Sequence, residues 1–173
     1  DSTAAFHPPA VLLIDVSGFT ELTEERGDYA APAVGELLHE GVTKQASERG
    51  ELIKLLGHGA KLQFPDATSA VDAKLEVVKP HDGSPRYNHR RAGVEAGTVI
   101  EQVGDLFGRT VNQAARICGV AGPGEVIVGQ GAAVILDGDT RWQLESVGRL
   151  NPRGFEAPIP GYRVIRSAGN SGG

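Results

Sequence analysis

The sequence predicts an α/β or α+β fold built around one sheet. Short apolar runs of strand length alternate along it with longer stretches of helical spacing. Gly and Pro clusters fall between these segments, where turns are needed. The chain has 173 residues and is 40% hydrophobic, enough for one core, and it carries no internal repeat.

Residues 1–10 are polar, contain Pro8-Pro9, and read as a loose lead-in. Val11 to Val16 is an apolar run of strand type, stopped by Ser17-Gly18. Phe19 to Arg26 reads as a short helical turn. Tyr29 to Arg49 has helical spacing, with Val34, Leu37, Leu38 and Val42 on one stripe and Gly50 at its end. Leu52–Leu56 and Ala60–Phe64 read as strands of a hairpin joined at Gly57-His58-Gly59. Ala67 to Val78 is a second helix, and Lys79 to Asn88, with two prolines and a glycine, is a loop.

Arg90 to Gly104 supplies two more strands. Thr110 to Gly119 is a helix with Val111, Ala114, Ala115 and Cys118 as its apolar positions, and Gly122-Pro123-Gly124 ends that region. A strand at Glu125–Val128, a short helix at Gly129–Leu136, and strands near 141–150 and 160–166 follow. Residues 167–173 are a tail.

The formal net charge of −5 argues against a general electrostatic grip on nucleic acid. A polyanionic small ligand needs local positive charge or metal ions. The single cysteine, Cys118, can form neither an intrachain disulfide nor a cysteine metal cluster, which suits a reducing compartment. No apolar run is long enough to cross a bilayer, and the N-terminus lacks a signal-peptide pattern. The chain contains no methionine and reads as a processed product or a piece of a longer protein.

Three segments carry chemistry. Asp15 interrupts a run that otherwise reads as a buried strand, and a carboxylate there must be paired, hydrogen-bonded or bound to a metal. Gly18-Phe19-Thr20 follows it and opens a helix, whose free N–H groups favour phosphate. The alternative is an aspartate that caps the next turn. The second segment is Lys54 to Gly59. Alone, its lysine reads as a solvent-facing strand residue and His58 as a polar turn residue. In the third, Gly104 to Arg116, Asn112 and Arg116 are four apart on one helix face with Arg109 nearby. Such a pair can hold negative charge developing at a phosphate, or form the solvated face of an amphipathic helix.

Together and in this order, the segments resemble the class III adenylate and guanylate cyclase catalytic domain. A strand reading Asp-x-x-Gly-Phe-Thr is met at Asp15 to Thr20, and a hairpin reading Lys-x-x-Gly-Asp-Gly is approached at Lys54 to Gly59. Asp-x-x-Gly-x-Thr-Val-Asn-x-Ala-Ala-Arg is met at Asp105 to Arg116. Ala121 to Val126, Arg153-Gly154-Phe155 and Pro158 to Val164 extend the likeness over residues 10–166. The resemblance implies an α+β sandwich with a ferredoxin-like βαββαβ core. Its sheet would be mixed and mostly antiparallel, with helices packed on it, in a catalytic domain over residues 11–166.

It further implies conversion of ATP to 3′,5′-cyclic AMP and pyrophosphate by two-metal chemistry. Asp15 matches a metal-binding carboxylate and the Val16 carbonyl a backbone ligand. The Phe19 and Thr20 amides match the phosphate turn, and Arg91 and Arg153 match contacts to the outer phosphates. Lys54 and Asp105 match the pair that reads adenine; guanine needs the opposite hydrogen-bond sense. Asn112 matches the residue that orients the ribose, and Arg116 the one that stabilises charge at the α-phosphate. The family's site lies between two subunits, so a homodimer with two equivalent sites is implied. A cytoplasmic setting and a fused regulatory domain are implied by the same kinship.

The match breaks at His58, which stands where the second metal carboxylate belongs. Mg²⁺ prefers oxygen ligands, and imidazole suits softer cations, so the expected divalent metal, Mg²⁺ or Mn²⁺, shifts toward Mn²⁺. Lys61 replaces a usually apolar residue, and Glu95 stands where a histidine is common. The alternative is a catalytically inactive pseudo-cyclase that serves as a nucleotide-binding or dimerisation module. The chain has no Gly-x-x-x-x-Gly-Lys phosphate loop and no motif for a serine–histidine triad.

Overall fold

A computed structural model describes residues 7–16, 24, 27–28, 39–44, 46, 48–78, 90–150 and 157–167. The apolar run around Asp15 forms strand β1 (Ala10–Val16). The hairpin follows as β2 (Glu51–Leu56) and β3 (Gly59–Phe64), with Gly57-His58 as its two-residue turn. Ahead of the hairpin, residues 39–44, 46, 48 and 49 are helical. Helix α1 (Ala67–Val78) has the predicted bounds. It starts on Asp66, whose Oδ1 accepts the Ser69 N–H at 2.8 Å as an N-cap.

β4 (Arg90–Ala96), helix α2 (Arg109–Val120), β7 (Val126–Gly129), helix α3 (Gln130–Leu136), β8 (Trp142–Leu150) and β9 (Ile159–Arg166) also fall where the sequence places them. One element is new. β5 (Ile100–Gln102) turns back through Val103-Gly104 into a three-residue strand, β6 (Asp105–Phe107). Val103 and Gly104 both have positive φ, 50° and 74°, the geometry a tight hairpin turn requires. A three-residue strand is too short to show a period, and valine is a poor advertisement for that turn.

Seven strands form one sheet in the order β2-β3-β1-β4-β7-β9-β8. β4 and β7 pair in parallel; the other neighbours are antiparallel. The first four strands, with α1 between β3 and β4 and helical residues between β1 and β2, make the ferredoxin-like βαββαβ pattern. The fold is thus α+β with a mixed, mostly antiparallel sheet, as the resemblance implies.

β1 lies between β3 and β4 and is buried on both faces, which explains its near-continuous apolar character. Ala10, Leu12 and Ile14 pack into the larger core, with Val71 of α1 and Leu136 of α3. Val11 and Leu13 point the other way and pack with Val111, Ala114 and Cys118 of α2. Strand alternation therefore sends Asp15 to the α2 face. Gly93 lets α2 close on that face, because a Cβ there would overlap the helix backbone at Ala114 and Cys118.

Of the helical turn expected at 19–26, only Glu24 is described, and it is helical. The expected loop at 79–88, residues 1–6, 29–38 and 168–173 lie outside the described residues.

Candidate functional site

Asp15 is positioned by its two neighbouring strands. It stands opposite Gly59 of β3 and Arg91 of β4. Gly59 is required there, since a Cβ would overlap the Ile14 carbonyl oxygen. Arg91 Nη2 donates to Asp15 Oδ2 at 3.1 Å. The same guanidinium donates through Nη1 to the carbonyl oxygens of Gly119, at 3.1 Å, and Ala121, at 3.4 Å. Arg91 thus ties Asp15 to the C-terminal end of α2. The side chains are 34% and 25% exposed, so the pair is only partly screened by water.

Asp15 and His58 line one pocket of about 230 Å³, together with Leu56, Gly59, Ala115 and Cys118. The hairpin turn brings the imidazole there. Burial, and then the Asp15 charge, push the Cys118 thiol up to about 12, so it stays protonated and is a poor metal ligand. Among the described residues, no three His, Cys, Asp or Glu side chains form a metal cage. Of the residues lining that pocket, the Asp15 carboxylate and the His58 imidazole are the ones whose chemistry can ligate a cation.

A second pocket, about 490 Å³, is lined by Lys54, Gln102, Gly104, Asp105 and Phe107. The β5–β6 hairpin carries Asp105 to β2, so that Lys54 Nζ lies 3.9 Å from Asp105 Oδ2. The other carboxylate oxygen is committed. Asp105 Oδ1 accepts Lys61 Nζ at 2.8 Å and its neighbour's amide, Leu106 N–H, also at 2.8 Å. The Lys61 hydrogen bond is the main reason that Asp105 holds its charge below the usual carboxylate range.

On α2, Asn112 is exposed and Arg116 half-buried, on the side away from buried Val111, Ala114 and Cys118. Asn112 and Arg116 line neither of the two pockets. The structure therefore joins Asp15 with His58, and Lys54 with Asp105, while of the α2 face it is Ala115 and Gly119, not Asn112 or Arg116, that line the Asp15 pocket. The side chain of Val16, and all of Phe19, Thr20 and Arg153, lie outside the described residues.

Two arrangements escaped the sequence reading. One is the Lys61–Asp105 bond. The hairpin register offered a signal, since Lys61 stands directly across from Lys54 and two facing cations need an anion between them. The other is Glu95, 5% exposed, whose Oε1 accepts the amides of Ala96 at 2.9 Å and Ala132 at 3.0 Å. Burial raises its affinity for a proton, and the amides oppose that rise. With its side-chain amide turned to the orientation that its neighbours require, Gln113 donates to Glu95 Oε2 and accepts from Arg109 Nε, both at 3.2 Å. Glu95 thereby satisfies the first amides of α3, a structural task.

No protein-family model matches the chain. Among curated proteins it is 32% identical over 173 residues to a pH-sensitive adenylate cyclase of Mycobacterium tuberculosis, covering 94% of this chain and 42% of the relative. It is 32% identical over 123 residues to an adenylate cyclase of Streptomyces coelicolor, covering 69% of this chain and 32% of that protein. The chain thus spans less than half the length of these relatives. Among solved structures, the adenylyl cyclase CyaB from P. aeruginosa superposes with a TM-score of 0.74 at 22% identity, over 92% of this chain and 94% of that one.

Proposed function

We propose that this chain, which has the class III adenylate/guanylate cyclase catalytic fold and adenylate cyclases among its relatives, converts ATP to 3′,5′-cyclic AMP and pyrophosphate at a homodimer interface. The observation that carries the reading is the meeting of Lys54 and Asp105 in one pocket, from a strand and a hairpin distant in the sequence. A lysine donor beside a carboxylate acceptor matches the edge of adenine, which presents a ring nitrogen and an amine. Guanine presents the opposite sense, a ring N–H toward the lysine and a carbonyl oxygen toward the carboxylate.

In the reaction, the ribose 3′ oxygen bonds to the α-phosphorus as the bond to pyrophosphate breaks. A divalent cation, Mn²⁺ or Mg²⁺, held by Asp15, the Val16 carbonyl and His58, would supply positive charge to the triphosphate and to the attacking oxygen. Asn112 orients the ribose, and Arg116 neutralises charge that grows at the α-phosphate. The Phe19 and Thr20 amides and Arg153 hold the outer phosphates. Arg91 joins them only by exchanging its Asp15 partner for phosphate, which costs the 3.1 Å ion pair.

A second copy of the chain is part of the reading because the family's site lies between two subunits and, in one chain, Asn112 and Arg116 line neither pocket. Exposed apolar side chains near the Lys54–Asp105 pocket support that pairing: Leu55 is 47% exposed, Phe107 48% and Ile100 53%. The Asp15–Arg91 pair and His58 favour a second reading, a nucleotide-binding module without turnover, because both weaken the negative charge available to a cation. Product formation separates the two. The purified chain, assayed with ATP and with GTP, each with Mn²⁺ and with Mg²⁺, is expected to make cyclic AMP mainly with Mn²⁺. Absence of product in all four assays at high protein concentration leaves the inactive pseudo-cyclase, a nucleotide-binding or dimerisation module.

A further inference from the structure

We infer that Lys61 is a positioning residue for base selection, acting through Asp105; the inference rests on the reading of Lys54 and Asp105 as the adenine pocket. Lys61 and Lys54 face each other across the β2–β3 hairpin, a like-charge pair that repels unless an anion lies between. Asp105 is that anion. It is 2.8 Å from Lys61 and 3.9 Å from Lys54. The two lysines are unequal, however. Lys61 is 14% exposed and Lys54 is 57% exposed. The half-buried one is the anchor, and the exposed one keeps the freedom to meet a ligand.

The division of labour on Asp105 follows. Oδ1 takes two donors, Lys61 Nζ and Leu106 N–H, which fix the carboxylate plane. Oδ2 is left toward the pocket, beside Lys54. A carboxylate held in this way offers one aimed acceptor and no donor. It accepts from the amine of adenine and meets the carbonyl of guanine oxygen to oxygen. Lys61 thus sharpens the choice of base without touching the nucleotide.

The test is calorimetric titration of the full chain with α,β-methylene analogues of ATP and GTP, which cannot cyclise. Lys61→Met is expected to weaken the ATP analogue about tenfold and the GTP analogue by about twofold or less, narrowing the preference. Lys61→Arg, which keeps a half-buried donor and charge, restores most of the preference, an effect that mere loss of packing does not produce. Thermal melting identifies folded variants; if the methionine variant does not fold, Lys61→Gln takes its place under the same criteria. Asp105→Asn serves as the reference. If it collapses the preference while Lys61→Met leaves it unchanged, the role of Lys61 is overturned and the adenine pocket stands. If Asp105→Asn also changes nothing, or neither analogue binds the unmodified chain, the pocket reading fails and takes the inference with it.

Discussion

Asp15 on β1 and Arg91 on β4 are cross-strand partners, and their side chains close an ion pair at 3.1 Å. The carboxylate that would hold a cation is thus already half neutralised by the protein. Asp15→Asn keeps the shape and an acceptor for Arg91 but removes the charge. Cyclic AMP formation is expected to fall about a hundredfold or more, while the melting temperature moves by only about 5 °C. Steady-state assay beside calorimetric melting checks both.

His58 shares the Asp15 pocket but, as an imidazole in place of a carboxylate, brings no negative charge. His58→Asp is expected to raise turnover with Mg²⁺ about tenfold and to narrow the advantage of Mn²⁺, since the added ligand is an anionic oxygen. Rates measured across a titration of each metal provide the comparison. Unchanged rates with Mg²⁺ would move the blame to the Asp15–Arg91 pair.

Lys74 of α1 is fully buried, and that burial, followed by the charge of Arg90, lowers its amine from 10.5 to about 7. The folded chain then binds its proton more weakly than the unfolded chain does. Between pH 7 and 10.5 the unfolded state holds the extra proton, so stability rises with pH across that window and falls as pH drops toward 7. Below it both states are protonated and the effect levels off. Lys74→Met is expected to flatten this dependence and to add a few kcal/mol at neutral pH, as read from urea unfolding at a series of pH values.

Gly93 is the point of closest approach between β4 and α2. Gly93→Ala pushes its methyl into the helix backbone at Ala114 and Cys118, so α2 must shift. A loss of ~2 kcal/mol or more is expected in denaturant unfolding. Activity should fall further than stability, because α2 carries Asn112 and Arg116.

The sequence was most informative where a pattern is local. Alternating faces of β1 place Asp15 beside α2, and the Gly57-His58 turn sets the hairpin register. The i, i+4 spacing puts Asn112 and Arg116 on one side of α2. What it hid depends on strands distant along the chain. The Asp15–Arg91 pair follows from the β1–β4 register, and the Lys61–Asp105 bond needs β6, a strand too short to read. Motif kinship named Lys54 and Asp105 as partners, and the fold brings them together. No motif pointed to the lysine that holds Asp105 from behind.

In the proposed dimer, one site draws Asp15 from one protomer and Arg116 from its partner. Mixing two inactive variants, Asp15→Asn and Arg116→Ala, is the decisive experiment. Each homodimer has two broken sites, but a mixed dimer has one intact site and one doubly broken. With random pairing, activity is expected to return to about a quarter of the unmodified level. If both variants are inactive alone, refold together as dimers and still make no cyclic AMP, the shared site is contradicted.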